Sequence, residues 1–306
     1  MTPASRDHGI GIGAVLFASV VWGTTGTAAT FAPGVGPFAI GAAAMGLGGL
    51  LQAAYAGRGI RAGLPQLARQ WRMLLLGGLA VGLYPLAFYA SMRMAGVTIG
   101  TVVTIGSAPL LSALIEFTFD RTRLSLRWLL AALIGLSGMA LLCIDKGGTH
   151  GGGDQVLPGI LLGLVGGLTY ALYSWSARRM MLAGVRSDVA MGATFGLGGL
   201  LLLPVLVATG GPFLDSWQNA AVGIYMAVVP MYLGYLAFGH GLARIPASTA
   251  TTLSLIEPVV AAILAILIVG ERLTPAGWTG VALIVLCLVA LTAPRRAPVR
   301  VTGSGA

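Results

Sequence analysis

Between short connectors rich in Arg, Gly and Pro, the chain is a succession of apolar runs. Each run is about twenty residues long, the length an α-helix needs to cross the hydrocarbon core of a bilayer. Ten runs are read, at 9–31, 36–57, 72–92, 96–118, 126–144, 157–177, 188–208, 217–240, 245–269 and 275–293. The fold class that follows is all-α and integral to a membrane. Composition agrees: 57% of residues are hydrophobic and 9% charged, against about 25% charged in soluble domains. A soluble globule with a large core is thereby excluded. The 47 glycines fit the same solvent, because small residues let helix backbones approach closely where no hydrophobic force drives them together. Arg6 is a thin basic lead into a run long enough to span, so a first span is expected rather than a cleavable leader.

A weak echo divides the chain in two. Pro109 is followed fourteen residues on by Arg123-Leu124-Ser125, and Pro258 fourteen residues on by Arg272-Leu273-Thr274. The offset is 149 residues. Placing the N-terminus in the cytoplasm puts fifteen of the eighteen basic residues on the cytoplasmic side; Arg93, Lys146 and Arg272 fall outside. That asymmetry is the positive-inside signal. Ten spans return the C-terminus to the cytoplasm as well. Each half has five spans, an odd number, so the second enters the membrane from the opposite side and the repeat is inverted. The expected organisation is a first repeat at 1–145, a Gly-rich polar linker at 146–155, a second repeat at 156–293 and a cytoplasmic tail at 294–306.

The net charge of +9 does not point to nucleic acid, because the basic residues lie scattered in short loops between spans. Cys143 and Cys287 each lie inside an apolar run, where a lone thiol packs as a small apolar group. They call for neither a disulfide nor a metal, and no cofactor is expected.

Ten spans in two halves, Trp22-Gly23 in the first span, and Glu257-Pro258 followed by Gly270-Glu271-Arg272-Leu273-Thr274 resemble the EamA type of the drug/metabolite transporter superfamily. Within it the chain looks most like bacterial YddG-type exporters of aromatic and other amino acids. The resemblance implies a multi-pass protein of the bacterial inner membrane; a monomer is expected. It implies export of small metabolites through a central cavity formed mainly by helices 1, 3, 4, 6, 8 and 9. The first half departs from the motif: Ala108-Pro109 stands for Glu257-Pro258, and Arg121-Thr122 for Gly270-Glu271. Any site at Glu257 is therefore chemically one-sided.

Glu257 lies near the middle of its span, where a carboxylate is costly unless it faces water, pairs or takes a proton. It reads either as a contact for a substrate amine or a proton, or as a packing residue beside a kink. Pro109 and Pro258 each free the carbonyl four residues back, those of Ile105 and Ser254; each is a simple kink or a hinge. Tyr84, Phe88 and Tyr89 in the third span, Tyr170 and Tyr173 in the sixth, and Tyr232 and Tyr235 in the eighth are candidates for a stacking, cation–π wall. Spacing of three places Tyr170 with Tyr173, and Tyr232 with Tyr235, on shared faces. Trp22, Thr24, Thr25, Thr101, Thr104, Thr251, Thr252 and Ser254 are candidate polar contacts, although intramembrane hydroxyls also bond back to their own helix. Trp71, Trp128, Trp217 and Trp278 read as interfacial anchors.

The expected partners are a small-molecule substrate, the lipid bilayer and protons as a coupling ion that the chemistry permits. Two rivals stand beside the carrier. A passive facilitator shares the same architecture. An intramembrane serine protease would use Gly135-Leu136-Ser137-Gly138 with His240 as its base, against a ten-span inverted plan and a pattern that 47 glycines produce by chance. A phosphate loop GxxxxGK[ST] is absent from the sequence, which disfavours primary pumping.

Overall fold

The computed structural model describes residues 3–145, 155–269 and 272–293. Most of the expected linker, the Gly270-Glu271 pair, the tail beyond 293 and the Cys143 side chain lie outside what it describes. Among the described residues there is no strand. Ten long helices run in order, with short helices Gly57–Ala62, Leu64–Arg69 and Gly211–Leu214 in the connections: α1 (Arg6–Thr30), α2 (Pro37–Tyr55), α3 (Trp71–Ala95), α4 (Val97–Asp120), α5 (Leu126–Asp145), α6 (Val156–Leu182), α7 (Ser187–Thr209), α8 (Trp217–Leu242), α9 (Ala247–Ile268) and α10 (Pro275–Thr292). Nine are long and apolar enough to cross a membrane, and α5 adds the shorter apolar stretch Leu126–Leu142.

Local chemistry explains where the helices stop. The α3–α4 turn is a single residue, Gly96, at φ 91°, a conformation that costs a residue without Cβ little. Gly184, also at φ 91°, ends α6. There Val185 N–H bonds to Met180 O and Gly184 N–H to Met181 O, each at 3.0 Å, the paired bonds that satisfy a helix C-terminus. At the start of α10, the Thr274 hydroxyl accepts from Ala276 N–H and Pro275 occupies the first turn, where its missing N–H costs nothing.

Helix contacts obey the inverted repeat. The α1–α8 packing is mirrored by α6–α3, and α1–α9 by α6–α4, while α2–α7, α4–α9 and α5–α10 each join a helix to its own counterpart. Glycines make these approaches possible. A methyl added at Gly167 in α6 would meet the Thr104 carbonyl of α4 at 2.8 Å, and one at Gly196 in α7 would lie 2.6 Å from the Ala53 methyl of α2.

The two prolines act differently. Pro109 sits inside an unbroken α4. Before Pro258, α9 passes through a tight 3₁₀ turn at Ser254–Ile256, and the carbonyl of Ser254 accepts the N–H of Glu257. The freed carbonyl thus finds a partner within its own helix, as the bilayer requires. Trp71, Trp217 and Trp278 are exposed, as anchors should be. Trp128 is instead only 7% exposed, packed with Ala113 and Ala132 between α4 and α5. The expectation of an anchor there fails because Trp128 begins a helix on the side facing its neighbour rather than lipid.

Candidate functional site

Where α1, α2, α3, α8 and α9 converge, the bundle holds a cavity of about 420 Å³ beside a smaller pocket of about 70 Å³. The larger lies within the usual range for small-molecule sites, roughly 300–1,000 Å³. Both share Trp22, Thr25, Phe88, Tyr89, Met226 and Glu257. The cavity extends past Ala29, Met92 and Leu142, near helix ends remote from the arginine-rich loops, and past Val35 in the α1–α2 connection. It therefore opens toward the arginine-poor face.

Its opposite end is sealed by rings. Trp22 lies 4.6 Å from Tyr235 and 5.1 Å from Phe238, centroid to centroid. Tyr170 stacks on Tyr173 at 5.2 Å, and Phe195 lies 4.3 Å from Tyr235. The Tyr173 and Tyr235 hydroxyls are 2.8 Å apart, and Tyr170 O–H donates to Ser254 Oγ at 3.1 Å. On the cavity side, Tyr84 stacks on Phe88 at 5.9 Å with planes 4° apart, and Phe88 meets Tyr89 at 5.2 Å. The Trp22 indole N–H is turned away from the void to donate to Pro230 O at 2.9 Å.

Glu257 is half-buried on this wall and takes part in no hydrogen bond or ion pair among the described residues. Among the described residues, no basic side chain lines either void. A carboxylate so placed has its charge met only by what enters the cavity, a proton or a cation. The surrounding ring faces carry the negative end of their quadrupoles and favour the same charge.

Of the sequence candidates, Trp22, Tyr84, Phe88, Tyr89, Tyr170, Tyr235 and Glu257 come together here, with Thr25, Thr101 and Pro258. Tyr173 and Ser254 lie just beneath, fully buried. Five fall elsewhere: Thr251 and Thr252 are fully buried and bonded within α9 or to Ser112, and three more lie away from the cavity. The Thr24 hydroxyl donates to Val21 O and is bonded to Tyr225 Oη at 2.7 Å. Thr104 is buried between α4 and α6 beside Gly166. Tyr232 packs edge-on against Tyr55 at 6.0 Å, away from Tyr235. The shared face expected for Tyr232 and Tyr235 does not form, because α8 widens to a π-helix over Ala227–Leu233 around Pro230 and the ordinary three-residue spacing no longer applies. Helix α2 also contributes more than expected, through Ile40, Gly41, Ala44 and Met45.

The Ser137 hydroxyl of the protease-like motif is exposed on α5 and donates to Leu133 O at 2.9 Å within its own helix. His240 is exposed at the end of α8, with its carbonyl accepting from Arg244.

A second polar cluster, between the ring floor and the arginine-rich face, was not anticipated. Glu116 of α4 is 3% exposed. Its carboxylate accepts from Ala247 N–H at 2.6 Å, from Ser248 N–H at 3.4 Å and from the Ser248 hydroxyl. Asp120, one turn on, accepts from Trp175 Nε1 and from Arg179, each at 2.8 Å. Arg178 donates to the carbonyls of Leu242 and Ile245 at the end of α8. The signal was available: Glu116 is another acid within an apolar run.

This arrangement has known relatives. The profile of the EamA-like transporter family matches residues 9–144 and again 157–293.

The chain belongs to the EamA-like transporter family.

It is 30% identical to an uncharacterized transporter, YwfM, of Bacillus subtilis over 92% of this chain and 93% of that protein. It is 29% identical to the threonine/homoserine exporter RhtA of Escherichia coli K12, over 68% of this chain and 67% of the exporter. A solved crystal structure of 22% identity superposes with a TM-score of 0.74, covering 94% of this chain and 96% of that one, which supports the fold. The chain is thus a multi-pass EamA-like membrane transporter built from two inverted repeats.

Proposed function

We propose that this EamA-like transporter exports small amphipathic metabolites bearing an amine, amino acids foremost, by alternating access. The observation that carries the reading is the unpaired Glu257 carboxylate on an aromatic wall, in a cavity sized for one small solute. The name of RhtA supports an exported amino acid. The arginine-rich face is assigned to the cytoplasm of the inner membrane by the positive-inside rule, so the cavity opens outward.

In this mechanism a protonated amine pairs with Glu257 while Tyr84, Phe88, Tyr89 and Trp22 take up the apolar body. A proton competes for the same carboxylate, which couples solute release to proton entry. The halves rock about the tight turn at Ser254–Ile256, where α9 is already broken. Purified protein in liposomes tests this: a panel of radiolabelled amino acids and amines is offered with and without an imposed pH gradient. Accumulation against the solute gradient supports the reading. Equilibration without uphill movement under any gradient contradicts coupling and supports a passive facilitator.

A further inference from the structure

The cluster on the arginine-rich face joins the two halves of the protein, and the inverted repeat allows a direct comparison with the other face. Every device that closes one side has a place where its counterpart would stand. The offset that superposes Pro109 on Pro258 puts Glu116 on Ala265 and Asp120 on Val269. It puts Arg178 and Arg179 on Ala29 and Thr30. A shift of one residue in that alignment, as the family matches at 9 and 157 imply for α1 and α6, gives Thr30 and Phe31, equally without charge. The partners repeat in place: Ala247 and Ser248 at the start of α9 correspond to Thr98 and Ile99 at the start of α4. The backbone amides that Glu116 grips on one side thus have an equivalent on the other, with no carboxylate to grip them.

We propose that Glu116 is a one-sided latch: by bonding the N-terminus of α9 it holds the arginine-rich face shut, and its repeat counterpart, Ala265, is a residue that cannot do the same on the opposite face. The latch stabilises one of two states. In the closed state the carboxylate satisfies two amides and one hydroxyl at a helix start, where the helix dipole favours a negative charge. These are charge-assisted bonds, about twice as strong as neutral ones. Asp120, from the same helix, bonds Trp175 and Arg179 of the neighbouring α6. Opening this face by separating α4 from α9 gives up the Glu116 bonds. At the counterpart positions the other face gains no such bond, because Ala265 and Val269 are residues without a side-chain acceptor. The outward-open state is therefore the resting one, and loading from the arginine-rich side is the step that breaks the latch. This rests on the alternating-access reading above, but not on which solute is carried.

Thiol labelling reads the latch without any substrate. Cys143 and Cys287 are replaced by Ala, and a single reporter is introduced at Ser112→Cys, between the latch and the ring floor on α4, or at Met92→Cys in the cavity. A membrane-impermeant maleimide is applied separately to each face. With the latch intact, Ser112→Cys resists reagent from the arginine-rich face and Met92→Cys reacts readily from the opposite face. Adding Glu116→Ala raises labelling of Ser112→Cys about tenfold and slows that of Met92→Cys, the population shift expected when a charge-assisted bond is lost from one state. Ser248→Ala, which removes only the hydroxyl donor and spares the fold, gives a smaller change in the same direction. If Glu116→Ala does not fold, Ser248→Ala decides alone. Labelling of both reporters unchanged in the folded variants overturns the latch. Uphill flux measured on the same unlatched and latched proteins separates the two failures: flux without a labelling response sinks the latch only, whereas absence of flux in the latched protein sinks the exporter reading.

Discussion

The phenol oxygens of Tyr173 and Tyr235 lie 2.8 Å apart and join α6 to α8 beneath the cavity. Both rings are buried, and among the described residues each hydroxyl has the other as its hydrogen-bond partner. Tyr173→Phe leaves the Tyr235 hydroxyl buried and alone, at a cost of about 1–3 kcal/mol. The expected outcome is a lower thermal midpoint in detergent. Tyr84→Phe removes a hydroxyl that makes no hydrogen bond among the described residues, and is expected to leave the midpoint unchanged. Equal behaviour of the two variants would contradict the floor assignment.

Glu257→Gln preserves shape and removes the charge that an amine would meet. Transport is expected to fall about tenfold or more, the equivalent of about 1.4 kcal/mol of lost interaction, with an unaltered melting curve. Proteoliposome uptake beside thermal denaturation checks both halves. Unchanged uptake would remove Glu257 from the site.

Helix packing predicts a contrast among glycines. Gly167→Leu and Gly196→Leu push side chains into a neighbouring helix, and overpacking of this kind costs about 1–3 kcal/mol. Gly13→Leu enters open space, with nothing within 4 Å of its added carbon, and is expected to be tolerated. Thermal stability of the three variants, measured side by side, checks it.

Much of the fold was legible because hydrocarbon leaves a helix few alternatives. Apolar run length gave ten helices, and fifteen arginines on one side gave the inversion. The lining and floor of the candidate cavity were legible where a residue type is expensive, as at Glu257, or where an unbroken helix keeps its spacing, as at Tyr170 and Tyr173. It was not legible at Tyr232, because the π-helical stretch around Pro230 turns the face in a way no residue spacing announces. Trp128 was misplaced for a different reason: a helix end shows its depth in the sequence, but not which neighbour it leans on. Glu116 was missed because its partners are backbone amides of Ala247 and Ser248, which have no signature of their own in a sequence.

Ser137 provides a check on the rival chemistry. Its hydroxyl is bonded to Leu133 O and exposed on the outer side of α5. Ser137→Ala is expected to leave transport within about twofold, since an exposed surface change is worth about ±0.5 kcal/mol. Loss of all activity in this variant would revive the protease reading.

The central claim is that Glu257 and its aromatic wall bind an amine-bearing solute and exchange it for a proton. Its most direct measurement is uptake of a radiolabelled amino acid into liposomes under an imposed pH gradient, with the native protein and with Glu257→Gln in parallel. Uphill accumulation by the native protein, absent in Glu257→Gln, is the predicted result. Accumulation of the same size in both proteins, or none in either with any solute of the panel, would contradict it.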